Sequence, residues 1–220
     1  MKVFLKNLLD LFFPPRCPFC RRLLKDYEPF VCRCCQNELP WTMGEAQVQH
    51  FRHIESCYSP LFYDGDVRSS ILRFKFSGLF GYAPAYAALM AHLIQEKGAC
   101  FDVVSWVPIS ARRLKKRTYD QAELLAREIA GLCGAPCEAM LIKTADNPAQ
   151  SSLHSSEERR KNVSGLYRPS DLQMIKGRQI LLVDDVVTTG ATLNECARVL
   201  KRAGASGISA VTLARSRRDG

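Results

Sequence analysis

Ile180-Leu181-Leu182-Val183-Asp184-Asp185-Val186-Val187-Thr188-Thr189-Gly190-Ala191-Thr192 is the stretch on which the reading of this chain turns. Ile180 to Val183 is short, uninterrupted and apolar, which suits a central parallel strand covered on both faces. Gly190 allows a tight turn. After it, Leu193, Cys196, Ala197, Leu200 and Ala203 recur at helical spacing until Gly204 stops the pattern. The unit is therefore strand, loop, helix. The first amides of a helix lack intrahelical partners and sit at its positive dipole end, so a loop of small residues there can cradle a phosphate. Thr188, Thr189 and Thr192 add hydroxyl donors. Asp184 and Asp185 stand at the carboxyl end of the strand, where open α/β sheets bind ligands, placed to accept hydrogen bonds from vicinal hydroxyls. Together these residues predict a phosphosugar site. Competing readings are an acid pair that only caps a strand and the metal-binding acidic strand of a nucleotide hydrolase. The latter calls for a G-x-x-x-x-G-K-[ST] segment, and none occurs in the chain.

The run resembles the 5-phosphoribosyl 1-pyrophosphate (PRPP) motif of type I phosphoribosyltransferases: apolar strand, two acids, apolar pair, T-T-G-x-T. The resemblance implies that Asp184 and Asp185 hold the ribose hydroxyls and that Thr188, Thr189, Gly190, Ala191 and Thr192 enclose the 5′-phosphate. Magnesium would arrive mainly with the ligand. The fold implied is a type I phosphoribosyltransferase-like α/β fold, an open, mostly parallel sheet flanked by helices.

The 220 residues have room for one such domain of about 150 residues and a small appendage. No apolar run reaches the roughly 18 residues of a membrane span. Lys6, Asn7 and Asp10 interrupt the apolar N-terminus, so no export signal is predicted and the expected location is the cytoplasm. Five of ten cysteines crowd between Cys17 and Cys35, a distribution that fits a metal in a reducing compartment better than a disulfide scaffold. A net charge of +9 favours a polyanionic partner such as nucleic acid.

Two C-x-x-C knuckles, Cys17-Pro-Phe-Cys20 and Cys32-Arg-Cys-Cys35, predict a closed four-thiolate zinc site with Cys17, Cys20, Cys32 and Cys35 as ligands; Cys34 in place of Cys32 is the open alternative. His50 and His53 are read as solvent-exposed. The amphipathic segment Val3 to Phe13 is read as a helix ended by Pro14-Pro15. It packs on the protein or makes peripheral contact with a membrane or a partner. The chain thus divides into a helix and zinc module at 1–45, a linker at 46–56 and the phosphoribosyltransferase-like domain at 57–220. Trp41 is expected to pack on the zinc module.

Within the larger domain, helices are predicted over Val67 to Phe76 and Pro84 to Lys97, and both are read as structural. A strand over Phe101 to Val107 leads into the basic run Ser110 to Arg117, read as a loop. If that strand neighbours Ile180 to Val183, Arg112, Arg113, Lys115 and Arg117 face the same crevice as the two acids and offer cations to a pyrophosphate or to DNA phosphates. A helix from Tyr119 to Leu132 and a short strand at Leu141-Ile142 follow. The segment Lys143 to Arg168, with Gln150, Arg160 and Asn162, is read as a mobile loop over the site. His154 within it is read as incidental. A last strand over Ile208 to Leu213 runs into a basic tail, Arg215, Arg217 and Arg218.

Tyr63-Asp-Gly-Asp-Val-Arg68, Arg73-Phe-Lys-Phe76, Val107-Pro-Ile-Ser110, Arg117-Thr-Tyr-Asp-Gln-Ala122, Gln150 with Arg160 and Asn162, the paired knuckles and the PRPP run, in this order, resemble the ComF family of competence-associated phosphoribosyltransferase-like proteins. The resemblance implies a role in natural transformation, handling single-stranded DNA in the bacterial cytoplasm beside a competence helicase or recombination mediators. The other function implied is active phosphoribosyl transfer to an unidentified base or other nucleophile in nucleotide or sugar metabolism. No base-binding segment is recognisable. The family pattern R-G-F-N-Q-[AS] is altered here: Thr118 stands for a glycine, which narrows the turn, and Asp120 for an asparagine, which brings an anion toward the proposed anion site.

Overall fold

The computed structural model describes residues 14–25, 27–145 and 165–217. The helix expected over 3–13, together with Gln150, His154, Arg160, Asn162 and Arg218, lies outside them. In order, the elements are α1 (Arg33–Glu38), β1 (Val48–Phe51), β2 (Ile54–Tyr58), β3 (Leu61–Phe62), α2 (Gly65–Phe76), α3 (Ala83–Glu96), β4 (Val103–Trp106), α4 (Ala111–Arg117), α5 (Gln121–Cys133), β5 (Leu141–Lys143), β6 (Tyr167–Pro169), α6 (Leu172–Ile175), β7 (Gln179–Val187), α7 (Ala191–Arg202) and β8 (Gly207–Arg215).

One sheet has the order β1-β2-β8-β7-β4, with β3 also paired to β8. Only β1 with β2 is antiparallel; β2, β3 and β7 run parallel to β8, and β4 runs parallel to β7. The predicted open, mostly parallel sheet is therefore the one observed. Alternation along β7 explains its continuous apolar run. Leu181 and Val183 join one buried cluster with residues of α2, α3 and α5 such as Phe74, Tyr86 and Leu125. Ile180 and Leu182 join another with Leu193, Cys196 and Leu200 of α7. Both faces of the strand are thus dry, and the carboxylates appear only where the strand runs out from under its helices.

Three sequence expectations change. Residues 46–56 are not a structureless linker: β1 and β2 form a hairpin with Val48 opposite Tyr58, and Cys57 and Tyr58 pair with Ala210 and Val211 of β8. The signal is weak in sequence because both strands are short and the partner that buries Ile54 and Cys57 lies some 150 residues away. The basic run after β4 is a helix, α4, begun by Ser110, whose side chain accepts from the Arg113 N–H at 3.4 Å. Arg215 is not part of a solvated tail. It is buried at the end of β8 and its Nη1 donates to the Ala46 carbonyl at 2.8 Å. Arg217 next to it stacks on Phe62, 4.4 Å from the ring centroid.

Thr118 closes α4 in the left-handed region, at φ 68° and ψ −11°. That conformation costs a residue with a Cβ about 1–2 kcal/mol, whereas glycine gives back about 0.5–1 kcal/mol in backbone entropy. Thr118→Gly is therefore expected to raise stability by about 0.5–1 kcal/mol, read as a higher urea midpoint at unchanged slope. No helix among the described residues is long and apolar enough to cross a membrane.

Candidate functional site

β7 delivers Asp184 and Asp185 to the carboxyl edge of the sheet, and the loop from Thr188 to Ala191 turns the chain into α7. Gly190 is required there twice over. Its φ is +73°, and a Cβ would stand 2.1 Å from Cε1 of Phe51, whose ring lies across the loop from the tip of the β1–β2 hairpin. Close by, the His53 backbone N–H donates to Oδ1 of Asn194 in the first turn of α7 at 3.0 Å, a second tie between hairpin and loop. The Ala191 N–H points to Thr189 Oγ1 at 3.4 Å.

These residues line one cleft of about 380 Å³, formed where β4 and β7 end side by side. Among the described residues, four cations line it, Lys75, Arg113, Arg117 and Lys143, against two carboxylates, Asp184 and Asp185. The balance suits a ligand carrying several negative charges. Lys75 Nζ meets Asp185 Oδ1 at 2.8 Å in a largely shielded pair. Asp184 has a different setting: its Oδ1 accepts from the Asp185 N–H at 2.8 Å. Burial, then the Asp185 charge, pushes its carboxyl up to about 8 against the opposing pull of Lys75. One acid is thus paired with a cation and the other holds its proton near neutrality.

The cleft takes up all seven residues predicted to bind the phosphosugar, Asp184, Asp185, Thr188, Thr189, Gly190, Ala191 and Thr192. From the basic run it takes only Arg113 and Arg117, four apart on one face of α4; Arg112 and Lys115 are exposed on the other sides. Asp120 does bring its charge near the anion site, where it acts on Arg117 and Asp184, but it does not line the cleft. It is buried, and its carboxylate accepts from the backbone N–H groups of Ile109, Ala122 and Glu123, capping α5.

Sequence reasoning missed Tyr63 and Lys75, both in a part of the chain read as structural, and gave no role to Lys143 or Tyr167. The one available signal was the cation embedded between apolar residues in Arg73-Phe-Lys-Phe76. Lys143 and Tyr167 sit on β5 and β6, an antiparallel ribbon in which they are direct partners. The segment predicted to close over the site therefore leaves and rejoins the described chain beside the cleft, and the Gly165 N–H is fixed to Glu195 Oε1 of α7 at 2.9 Å.

On another face of α2, packed against Ser70 and Arg73, lies the cysteine cluster. One ligand atom each from Cys17, Cys20, Cys32 and Cys35 falls within 4.8 Å of all the others, and Cys20 Sγ and Cys32 Sγ are 3.5 Å apart. Tetrahedral thiolates about 2.3 Å from one ion stand about 3.8 Å from each other, so the four fit a closed metal site. Cys34 turns away toward Glu38, whose hydrogen bond raises its thiol, and neither His50 nor His53 joins the cluster. Glu28 braces the loop by accepting from the Lys25 and Arg33 N–H groups at 3.0 and 2.7 Å. As expected, Trp41 packs here, its indole N–H donating to the Gln36 carbonyl at 2.8 Å. The module is seated on α2: Arg73 Nη2 donates to the Pro18 and Phe19 carbonyls at 2.9 and 2.7 Å, and Phe19 packs on Tyr86 with centroids 5.8 Å apart.

Comparison with known proteins agrees with this geometry. Residues 115–220 match the phosphoribosyl transferase domain family. Competence protein F of Haemophilus influenzae is 26% identical over 229 residues, covering 93% of this chain and 99% of that protein. Competence protein ComFC of Bacillus subtilis is 28% identical over 205 residues, 91% of this chain and 78% of that one. DNA utilization protein YhgH of Escherichia coli K12 is 29% identical over 207 residues, 91% of this chain and 84% of that one.

Proposed function

Because the chain is a ComF-family, phosphoribosyltransferase-like protein, we propose that it binds PRPP in this cleft and serves natural transformation by handling single-stranded DNA in the cytoplasm. One observation carries the reading: two strand-end carboxylates, a Thr/Gly loop at a helix N-terminus and four cations surround a single cleft. Asp184 and Asp185 hold the ribose hydroxyls, the loop from Thr188 to Thr192 encloses the 5′-phosphate, and Arg113 and Arg117, joined by Lys75 and Lys143, take the pyrophosphate. Magnesium enters with the ligand and neutralises its oxygens. The four-cysteine cluster holds structural zinc. Residues 1–45 form the zinc-bearing appendage and 57–220 the phosphoribosyltransferase-like domain, to whose sheet the 46–56 hairpin adds two strands. Single-stranded DNA is the macromolecular partner, with a competence helicase or recombination mediator beside it. Residues 3–13 remain the candidate for peripheral membrane contact, and Gln150, Arg160 and Asn162 for a segment closing on the cleft.

A second reading, phosphoribosyl transfer to an unidentified base or other nucleophile, is favoured by the same cations. In that reading they would offset charge developing on a departing pyrophosphate while the two acids orient the sugar. A paired assay separates the two: PRPP turnover against a panel of bases, beside single-stranded DNA binding with and without PRPP. Salt-dependent DNA binding without pyrophosphate release supports the binding role. Pyrophosphate release above background with any acceptor makes the protein an enzyme, and absence of both DNA and PRPP binding rejects the proposal.

A further inference from the structure

Close to Arg117, which lines the cleft, two large rings are turned to solvent. Phe76, the last residue of α2, is 61% exposed, and Phe80, in the turn after it, is 65% exposed. Each is backed by a residue from the junction of α4 and α5, Arg117 or Tyr119. The Arg117 guanidinium lies 4.8 Å from the centroid of the Phe76 ring, and Phe80 meets Tyr119 edge-on with centroids 6.2 Å apart. Tyr119 is itself held by its hydroxyl, which donates to the Phe74 carbonyl. Arg117 also lines the cleft, and its Nη1 is fixed to Gln121 Oε1 at 2.8 Å. Beside the rings runs α4, with five cations in seven residues: Arg112, Arg113, Lys115, Lys116 and Arg117. No carboxylate within salt-bridge distance of them is found among the described residues.

We propose that Phe76 and Phe80 form a base-stacking platform for single-stranded DNA beside the phosphosugar cleft, with the exposed α4 cations Arg112, Lys115 and Lys116 carrying the strand's phosphates. The inference rests on the DNA-binding reading above and gives it a place. A partner protein seated on these rings would have to cover or neutralise a helix of five positive charges. A single strand matches both features at once, since every base offers a π face and every nucleotide a negative charge. Duplex DNA does not, because its bases are already stacked on one another. The platform also gives a use to the exposed apolar surface of Phe76 and Phe80, which do not line the cleft.

The test uses the full-length, zinc-loaded chain and fluorescence anisotropy with two labelled oligomers of equal length, an oligothymidylate and an abasic strand. Phe76→Ala and Phe80→Ala are each expected to weaken oligothymidylate binding about 5- to 150-fold, leaving abasic-strand binding and its salt slope unchanged. Phe76→Trp should retain affinity for oligothymidylate. PRPP binding by each variant, read by calorimetry, should stay at the wild-type level and so report an intact fold. Wild-type affinity of the double alanine variant for oligothymidylate would overturn the platform while leaving the DNA reading standing, as would equal losses for both oligomers. So would Phe76 and Phe80 variants that lose only a free nucleobase bound in the presence of PRPP. A wild-type chain that binds neither oligomer removes the DNA reading, and the platform with it.

Discussion

Asp184→Ala and Asp185→Ala combined are expected to weaken PRPP binding by at least about 100-fold, measured by isothermal calorimetry with magnesium present. Hydrogen bonds from ribose hydroxyls to a carboxylate contribute about 1.5–3 kcal/mol each, and a factor of ten is about 1.4 kcal/mol. The single Asp185 variant has an additional effect, for it leaves Lys75 without its 2.8 Å partner at the wall of the cleft. The two acids should also differ in their dependence on pH. With its folded value pushed up to about 8 from an ordinary 3.8, Asp184 keeps a proton in the folded chain that the unfolded chain has lost. Its contribution to stability is therefore fully present below about pH 4 and is lost as pH rises through about 8. Asp184→Asn, which keeps the shape without the charge, should melt with a smaller loss of Tm between pH 5 and pH 9 than the wild type, while still losing PRPP. Unchanged PRPP affinity in the double alanine variant would remove the phosphosugar reading. A wild-type pH slope in Asp184→Asn would show that this carboxyl is not the protonated group.

Removing a cysteine ligand should have the other large effect. Cys17→Ser or Cys32→Ser is expected to abolish stoichiometric zinc, counted by elemental analysis of purified protein, whereas Cys34→Ser retains it because Cys34 stands outside the cluster. A metal present at about 1,000 times its dissociation constant stabilises the folded state by about 4 kcal/mol. At about 2–4 °C per kcal/mol for a chain of this size, loss of the ion should lower Tm by roughly 8–16 °C. A chelator that strips the metal from the wild type should do the same. The effect should reach beyond the knuckles, since Pro18 and Phe19 accept from Arg73 and Phe19 packs against the core residue Tyr86. Zinc lost on Cys34→Ser but kept on Cys32→Ser would reverse the ligand assignment.

The features legible in advance share one property: each is complete within a short run of chain. Strand, acids and loop of the motif, up to the start of its helix, occupy 13 consecutive residues, and each cysteine knuckle needs only four. The features that were not legible are assembled from far apart. Lys75 and Lys143 reach Asp185 and its neighbours from α2 and from the β5–β6 ribbon. The β1–β2 hairpin has too few residues to show a period and is held by pairing to β8. Asp120, read as an anion near the phosphate site, also accepts from three backbone N–H groups, an arrangement that depends on Ile109 lying across from the start of α5.

By itself, then, the sequence determined that this chain carries a parallel strand ending in two acids and a Thr/Gly loop, and a four-cysteine module, because local spacing alone dictates those geometries. The tertiary structure decided which charges surround the loop. Sheet order sets β4 beside β7, so α4 turns Arg113 and Arg117 inward and Arg112 and Lys115 outward. It also seats the cysteine module and the cleft on the same helix, α2, through Arg73 and Lys75, two residues apart and so on roughly opposite faces. Such placements follow from burying both faces of β7, a requirement that acts on the whole chain at once and leaves no mark at any single residue.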